Sequence, residues 1–252
     1  MNRIIDNRNK ITKDKLTSRF ICLELLLYLS FLILDILEIA HSLSNILKYI
    51  AIWLCLIFVS LSYRKIKNKN IVLMFLILLF TVTADTFLLF SKHFELGVLA
   101  FIIVQILYSR KVKAACKDGC KLYMVEILSI TFIWNMLILV LKNEIDLTPI
   151  IALAGLYFLL FTGNLIRIWY HAAYQIKNLE DEKIKQQTII LAIGLSLFYL
   201  CDINVGLNFL QNGGISLNNF INVLASAAGT LIWFFYLPSQ VILTLQVTIY
   251  DL

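Results

Sequence analysis

A chain of 252 residues that is 60% hydrophobic and only 15% charged, with a mean hydropathy of +0.85, cannot present an ordinary aqueous surface, because soluble domains carry roughly 25% charged residues. Two prolines and nine glycines exclude a loop-rich all-β protein and disfavour a membrane barrel, which needs repeated turns and strict alternation. The net charge of +6 sits in loops between apolar blocks, a pattern that belongs to membrane topology rather than to nucleic-acid binding.

In chain order, the first 19 residues, MNRIIDNRNKITKDKLTSR, form a polar, basic tail. The apolar block after it is too long for a signal peptide, carries Glu24 and lacks a small-x-small cleavage pattern, so it reads as the first span. Apolar blocks predict spans at 20–40, 46–62, 71–90, 96–109, 122–141, 148–169, 187–210 and 219–246, since about 20 helical residues cross a ~30 Å hydrocarbon core and lipid leaves no backbone group unpaired. The fourth block, LGVLAFIIVQILYS, is short, so its flanks must snorkel or the bilayer must thin. The segment 171–186, HAAYQIKNLEDEKIKQ, reads as a short surface helix with a solvated charged face. The predicted fold is therefore all-α, a polytopic transmembrane helical bundle of about eight spans over 20–246, preceded by the tail 1–19 and followed by a short C-terminus, 247–252.

The basic residues give the orientation. With the N-terminus on the cytoplasmic side, 19 of the 22 Lys and Arg fall in cytoplasmic segments, and only Lys48, Lys92 and Lys142 fall outside. Adding or dropping one early span scrambles the alternation. The expected location is the plasma (cytoplasmic) membrane of a bacterium, with both termini cytoplasmic.

Cys22, Cys55, Cys116, Cys120 and Cys201 are scattered, and neither they nor His41, His93 and His171 have metal-ligand spacing. There is no GxSxG elbow and no phosphate-cradling glycine motif; Gly213-Gly214 reads as a turn. The informative residues are the ionisable groups inside apolar blocks, which are costly there and are expected to face a bundle interior or cavity. Glu126 and Glu38 lie at span ends, where water reaches them. Asp85 and Asp202 lie about three quarters of the way along two spans that run in the same direction, and so share a depth towards the outer leaflet. Asp35 is at a comparable level, Asn135 and Asn208 are near it, and Gln105 and Gln240 are closer to mid-membrane. For the amides, helix-to-helix hydrogen bonding suffices. The Asp pair suits acid–base chemistry, because of two nearby carboxyls in a dry site one tends to hold a proton while the other is charged.

The stretch ADTFLLFSKHFELGVLAFIIVQILY, 84–108, resembles the signature of the YhhN/lysoplasmalogenase membrane family through Asp85, Phe94, Gly97, Phe101, Gln105 and Tyr108. GLSLFYLCDINVGLNFL is similar to the family's later motif of a small residue and Asp, with Asp202 in the key place, and WFFYLPSQVIL looks like its last span, with Tyr236 and Gln240. Lys48 matches a lysine that opens the family's second span, and the likeness runs in order over roughly 45–245. The chain departs from the family at Gln105, where His is frequent and titrates as Gln cannot, at Tyr49, where Pro is usual, and at Cys201.

The resemblance implies an eight-span enzyme that hydrolyses the vinyl ether bond of lysoplasmalogens to a fatty aldehyde and a glycerophospho-alcohol. It implies Asp85 and Asp202 as the catalytic carboxyls, with Lys48, Gln105, Tyr108, Asn208, Tyr236 and Gln240 around the substrate. Lys48 either attracts the lipid phosphate or snorkels at the interface. No metal or organic cofactor is implied; the partners are the bilayer and a lysophospholipid, not nucleic acid. Two other readings stay open: a catalytically silent lipid-binding relative, motivated by Gln105, and a small proton-coupled transporter, since membrane carboxylates also serve proton relays.

Overall fold

The computed structural model describes residues 2–65, 69–91, 93–115, 129–138, 148–177, 182–212 and 219–249. The elements among them are all helices: α1 (Asn2–Ile36), α2 (His41–Lys65), α3 (Lys69–Phe90), α4 (Phe94–Ala115), α5 (Ser129–Ile138), α6 (Pro149–Lys177), α7 (Glu182–Asn212) and α8 (Asn219–Ile249). Five helical stretches are long and apolar enough to cross a membrane: His41–Tyr63, Asn70–Phe90, Pro149–Lys177, Glu182–Phe209 and Ala228–Gln246. Their outer faces carry large apolar side chains in the open, among them Ile57 on α2, Ile166 and Trp169 on α6 and Phe234 on α8. Such a surface suits lipid, where the helix satisfies its own backbone and the side chains need no water.

Helix boundaries differ from the predicted ones where polar residues continue a helix beyond its apolar part. The tail residues 2–19 are the first part of α1. The fourth helix has 22 residues, not the 14 of its apolar run, because Arg110, Lys111 and Lys113 extend it. At 1.5 Å per residue that is about 33 Å of helix, but the apolar part is no longer than predicted, and α4 is not among the five stretches apolar enough to cross a membrane. The segment 171–186 is no separate surface helix among the described residues: 171–177 end α6 and 182–186 begin α7. Cys116, Cys120, Glu126, Lys142 and Gly213-Gly214 lie outside the described residues.

The helices pack as a ring in which α1, α2, α3, α4, α6, α7 and α8 each touch the next, and α8 closes back onto α1. α8 also touches α2 and α3, so it stands nearest the middle. Its seam with α7 is tight at Gly194, where a Cβ would meet Leu243 Cδ2 at 2.7 Å. α5 leans on α6 through Trp134, whose indole N–H donates to the Ala152 carbonyl at 2.8 Å. Hydroxyls along the helices satisfy themselves: Ser60, Ser62, Thr81, Thr83 and Thr86 each donate to the carbonyl four residues back, the local bond open to Ser and Thr within a helix.

Two backbone details position the interior. Pro238 lies inside α8 and has no N–H, which leaves the Phe234 carbonyl without its helical donor. The Tyr28 hydroxyl of α1 donates to that carbonyl at 3.1 Å. At the end of α1, Ile39 N–H donates to Leu34 O at 3.1 Å and Glu38 N–H to Asp35 O at 3.2 Å, the bond pair of a Schellman stop. Glu38 takes the left-handed position of that stop, with φ 53°, and Ala40 follows at φ 48°. This corner turns the chain so that Asp35 faces the start of α2.

Candidate functional site

Asp85 of α3 is buried, and its Oδ2 accepts a 2.8 Å hydrogen bond from the Tyr236 hydroxyl of α8. Asp202 of α7 is half-buried and accepts a short hydrogen bond from the Tyr157 hydroxyl of α6. The two carboxyls lie within electrostatic reach of each other, and the buried Cys201 thiol lies within reach of both. The four elements α3, α6, α7 and α8 thus contribute one Asp or one Tyr each.

A lattice of rings holds the two tyrosines. Phe101 touches Tyr157 at 6.0 Å between centroids and Phe198 at 5.8 Å; Phe198 touches Tyr236 at 5.6 Å; Trp233 meets Tyr236 edge-on at 5.0 Å. Rings at these separations and tilts pack favourably and have few alternative rotamers in a filled core. The carboxyls therefore sit in apolar, rigid surroundings, each with one directed donor. That arrangement can hold a proton on one carboxyl and a charge on the other, and it can stabilise a cation formed between them.

Gln105 sits behind Tyr157. Its side-chain N–H donates to the Tyr157 hydroxyl at 3.3 Å. Asn164 of α6 donates to the Gln105 backbone carbonyl at 2.9 Å and to its Oε1 at 3.2 Å, and the Ser109 hydroxyl donates to Asn164 Oδ1 at 2.6 Å. All of these side chains are buried. The amide of Gln105 is therefore used at both ends and orients the tyrosine that bonds Asp202.

Lys48 is neither a snorkelling lysine nor an open phosphate attractor. It is buried, its Nζ lies 2.8 Å from Asp35 Oδ2 and 3.1 Å from Oδ1, and Asp35 also accepts from the Ser44 hydroxyl at 2.5 Å. The ammonium stands over the Phe31 and Trp233 rings, 5.8 and 5.2 Å from their centroids, so its charge is answered by a carboxylate and two ring faces. Trp233 touches Tyr236, which places this ion pair beside the Asp85 side of the site. Asn135 does not join the polar layer: it is exposed and donates to the Thr131 carbonyl of its own helix at 2.8 Å. Asn208 is half-buried, six residues past Asp202 on α7, which at roughly 100° per residue puts it on another face.

The remaining predicted residues lie in a second polar group. Gln240 and Tyr108 are wholly buried, and among the described residues neither the Gln240 amide atoms nor the Tyr108 hydroxyl has a hydrogen-bond partner. Tyr108 lies within electrostatic reach of Cys55, whose thiol donates to Glu24 Oε1 at 3.3 Å; Glu24 Oε2 has no partner among the described residues. Each such buried atom costs about 1–3 kcal/mol if left unsatisfied.

Sequence reasoning missed Tyr157, Asn164 and Ser109. A signal for the first two exists: the buried stripe of α6 runs Tyr157, Leu160, Phe161, Asn164, Ile168, Ala172, Gln175, a helical period with polar residues on its inward face. Among the described residues no three or more His, Cys, Asp or Glu side chains are grouped to hold a metal ion. Fold and site together define a helical bundle with membrane-spanning character that holds two tyrosine-bonded carboxyls in its interior. No protein-family model, curated protein or solved structure matches the chain.

Proposed function

We propose that this chain is a membrane hydrolase that cleaves the vinyl ether bond of lysoplasmalogens, releasing a fatty aldehyde and a glycerophospho-alcohol. The reading includes eight spans and a cytoplasmic placement of both termini in a bacterial plasma membrane, supported by the distribution of Lys and Arg. The observation that carries the chemistry is the pair Asp85 and Asp202, on separate helices, within electrostatic reach, each bonded by a tyrosine hydroxyl.

The reaction needs a proton delivered to carbon. One carboxyl, in its acid form, protonates the enol ether carbon remote from oxygen. The double-bond electrons form the new C–H bond, and an oxygen lone pair generates an oxocarbenium ion at the carbon bearing oxygen. The other carboxyl, as the anion, stabilises that cation and takes a proton from the water that adds to it. The hemiacetal then collapses: its hydroxyl proton leaves, the C–O bond to the glyceryl group breaks, and that oxygen is protonated. Two carboxyls perform the equivalent tasks at a glycosidic bond. Tyr157 and Tyr236 are positioning residues that fix the rotamers of the two carboxyls, and Gln105 fixes Tyr157 without itself titrating.

The test is aldehyde release from a lysoplasmalogen by membranes containing the protein, with Asp85→Asn and Asp202→Asn membranes beside it. Release that both folded variants lose, by at least ~100-fold, is the expected result. No release from folded wild-type protein refutes the reading and returns the chain to the silent lipid-binding or proton-transport alternatives.

A further inference from the structure

One face of α8 carries Tyr236, Gln240 and Thr244 at four-residue intervals, all buried. Eight residues of helix span about 12 Å. At one end of that face Tyr236 bonds Asp85, and at the other Thr244 lies beside the Cys55 thiol, which bonds Glu24. Gln240 is the step between them, with neither amide atom bonded among the described residues. The Tyr108 hydroxyl and Glu24 Oε2, both at the Cys55 end, share that condition. Glu24 lies five residues beyond the exposed Arg19 on α1, about 7 Å along the helix axis.

An amide, a phenol and a carboxyl oxygen left bare in an apolar core are strongly unfavourable. Buried polar groups without protein partners are characteristically bonded by internal water, which needs two to four such partners and a polar site. Here the bare atoms are not one isolated spot: Gln240 is between Tyr236 and Thr244 on its helix face, and Tyr108 and Glu24 are at the Cys55 end. They lie between the Cys55–Glu24 contact and the Tyr236–Asp85 bond.

We propose that the Tyr236–Gln240–Thr244 face of α8, together with Tyr108, Cys55 and Glu24, binds a file of internal water molecules that joins the Glu24 end of the bundle to the Asp85–Asp202 pair. Its use as a water supply rests on the hydrolase reading, in which each turnover consumes one water at a site surrounded by rings and lipid. Gln240 is its relay point, an amide that donates and accepts at once and passes water in either direction.

The test is hydroxyl-radical footprinting of the purified full chain in nanodiscs, with radicals generated by X-ray pulses from water next to the protein. Buried rings are modified only where water touches them. After correction for intrinsic ring reactivity, Tyr108 is expected to be modified at least several-fold faster than Phe31 and Phe161, which are equally buried. Modification of Tyr108 no faster than of those two rings overturns the proposal. In Gln240→Leu the rate at Tyr236 falls several-fold; an unchanged rate at Tyr236 in the folded variant overturns the continuity of the file. If this variant does not fold, the wild-type footprint alone decides. The aldehyde assay separates the two ideas. In Gln240→Leu, kcat falls several-fold while KM holds, and an unchanged kcat overturns the role as supply. A wild-type protein that is footprinted as expected but releases no aldehyde refutes the hydrolase reading and leaves the water file standing.

Discussion

Removing the charge of Lys48 tests how the corner between α1 and α2 is held. In Lys48→Met, Asp35 loses an ammonium 2.8 Å from one oxygen and 3.1 Å from the other, and among the described residues its side chain retains the Ser44 hydroxyl. The carboxylate keeps 13% of its side-chain exposure, so the loss falls at the lower end of the 3–5 kcal/mol seen when one partner of a buried pair is removed, about 3 kcal/mol. The reverse change, Asp35→Asn, leaves the ammonium facing the Phe31 and Trp233 rings. The rings recover ~1 kcal/mol of its desolvation, so the net loss is again about 3 kcal/mol. The double variant Lys48→Met/Asp35→Asn strands no charge and should lose only about 1–2 kcal/mol, because a buried pair is worth little against uncharged groups of similar size. The coupling between the two positions is then about 4–5 kcal/mol. SDS-titrated unfolding in mixed micelles measures it, with the fluorescence of Trp233, which stands against the pair, as the signal. Losses that add to within ~0.5 kcal/mol would show that the two side chains do not meet and would refute the reasoning.

Other expectations follow from single contacts. Tyr28→Phe strips the Phe234 carbonyl of its donor beside Pro238 and should cost about 1 kcal/mol in the same titration; no change would mean that the carbonyl is satisfied elsewhere. Gly194→Ala drives a methyl to 2.7 Å from Leu243 and should destabilise the α7–α8 seam by ~1–3 kcal/mol, with Leu243→Ala in the same chain recovering part of it. Glu38→Gly relieves a left-handed residue at the α1 stop and should stabilise by about 1 kcal/mol; a destabilised variant would mean that the carboxylate of Glu38 matters more than its backbone.

Depth was legible in the sequence, and rotation was not. Counting along two parallel spans placed Asp85 and Asp202 at one level, and they do lie within reach of each other. The same counting placed Asn135 beside them, yet its helix turns it outwards, where it bonds its own backbone. Partner choice was hidden for a different reason. The bonds Tyr236–Asp85 and Tyr157–Asp202 join residues 151 and 45 positions apart, and the closure of the ring decides which helices meet. The apolar run of α4 concealed its true length because three basic residues continue the helix. The Asp35–Lys48 pair was concealed by a turn without its usual residue: a Schellman stop favours glycine at the position that Glu38 occupies. Both charges were visible, but nothing local marked the corner that joins them.

Because α8 follows in sequence every helix that it packs on, the interior is complete only once it arrives. Until it arrives, Asp85 has no Tyr236, Lys48 has no Trp233 and Tyr28 has no Phe234 carbonyl. The nascent chain therefore holds an acid and a cation, each short of one partner, until α8 is added. Such groups are tolerated in lipid only near water or a helper. A chain without residues 219–249 leaves the Asp85 carboxyl and the Tyr28 hydroxyl without these partners, and the arrival of α8 conceals both.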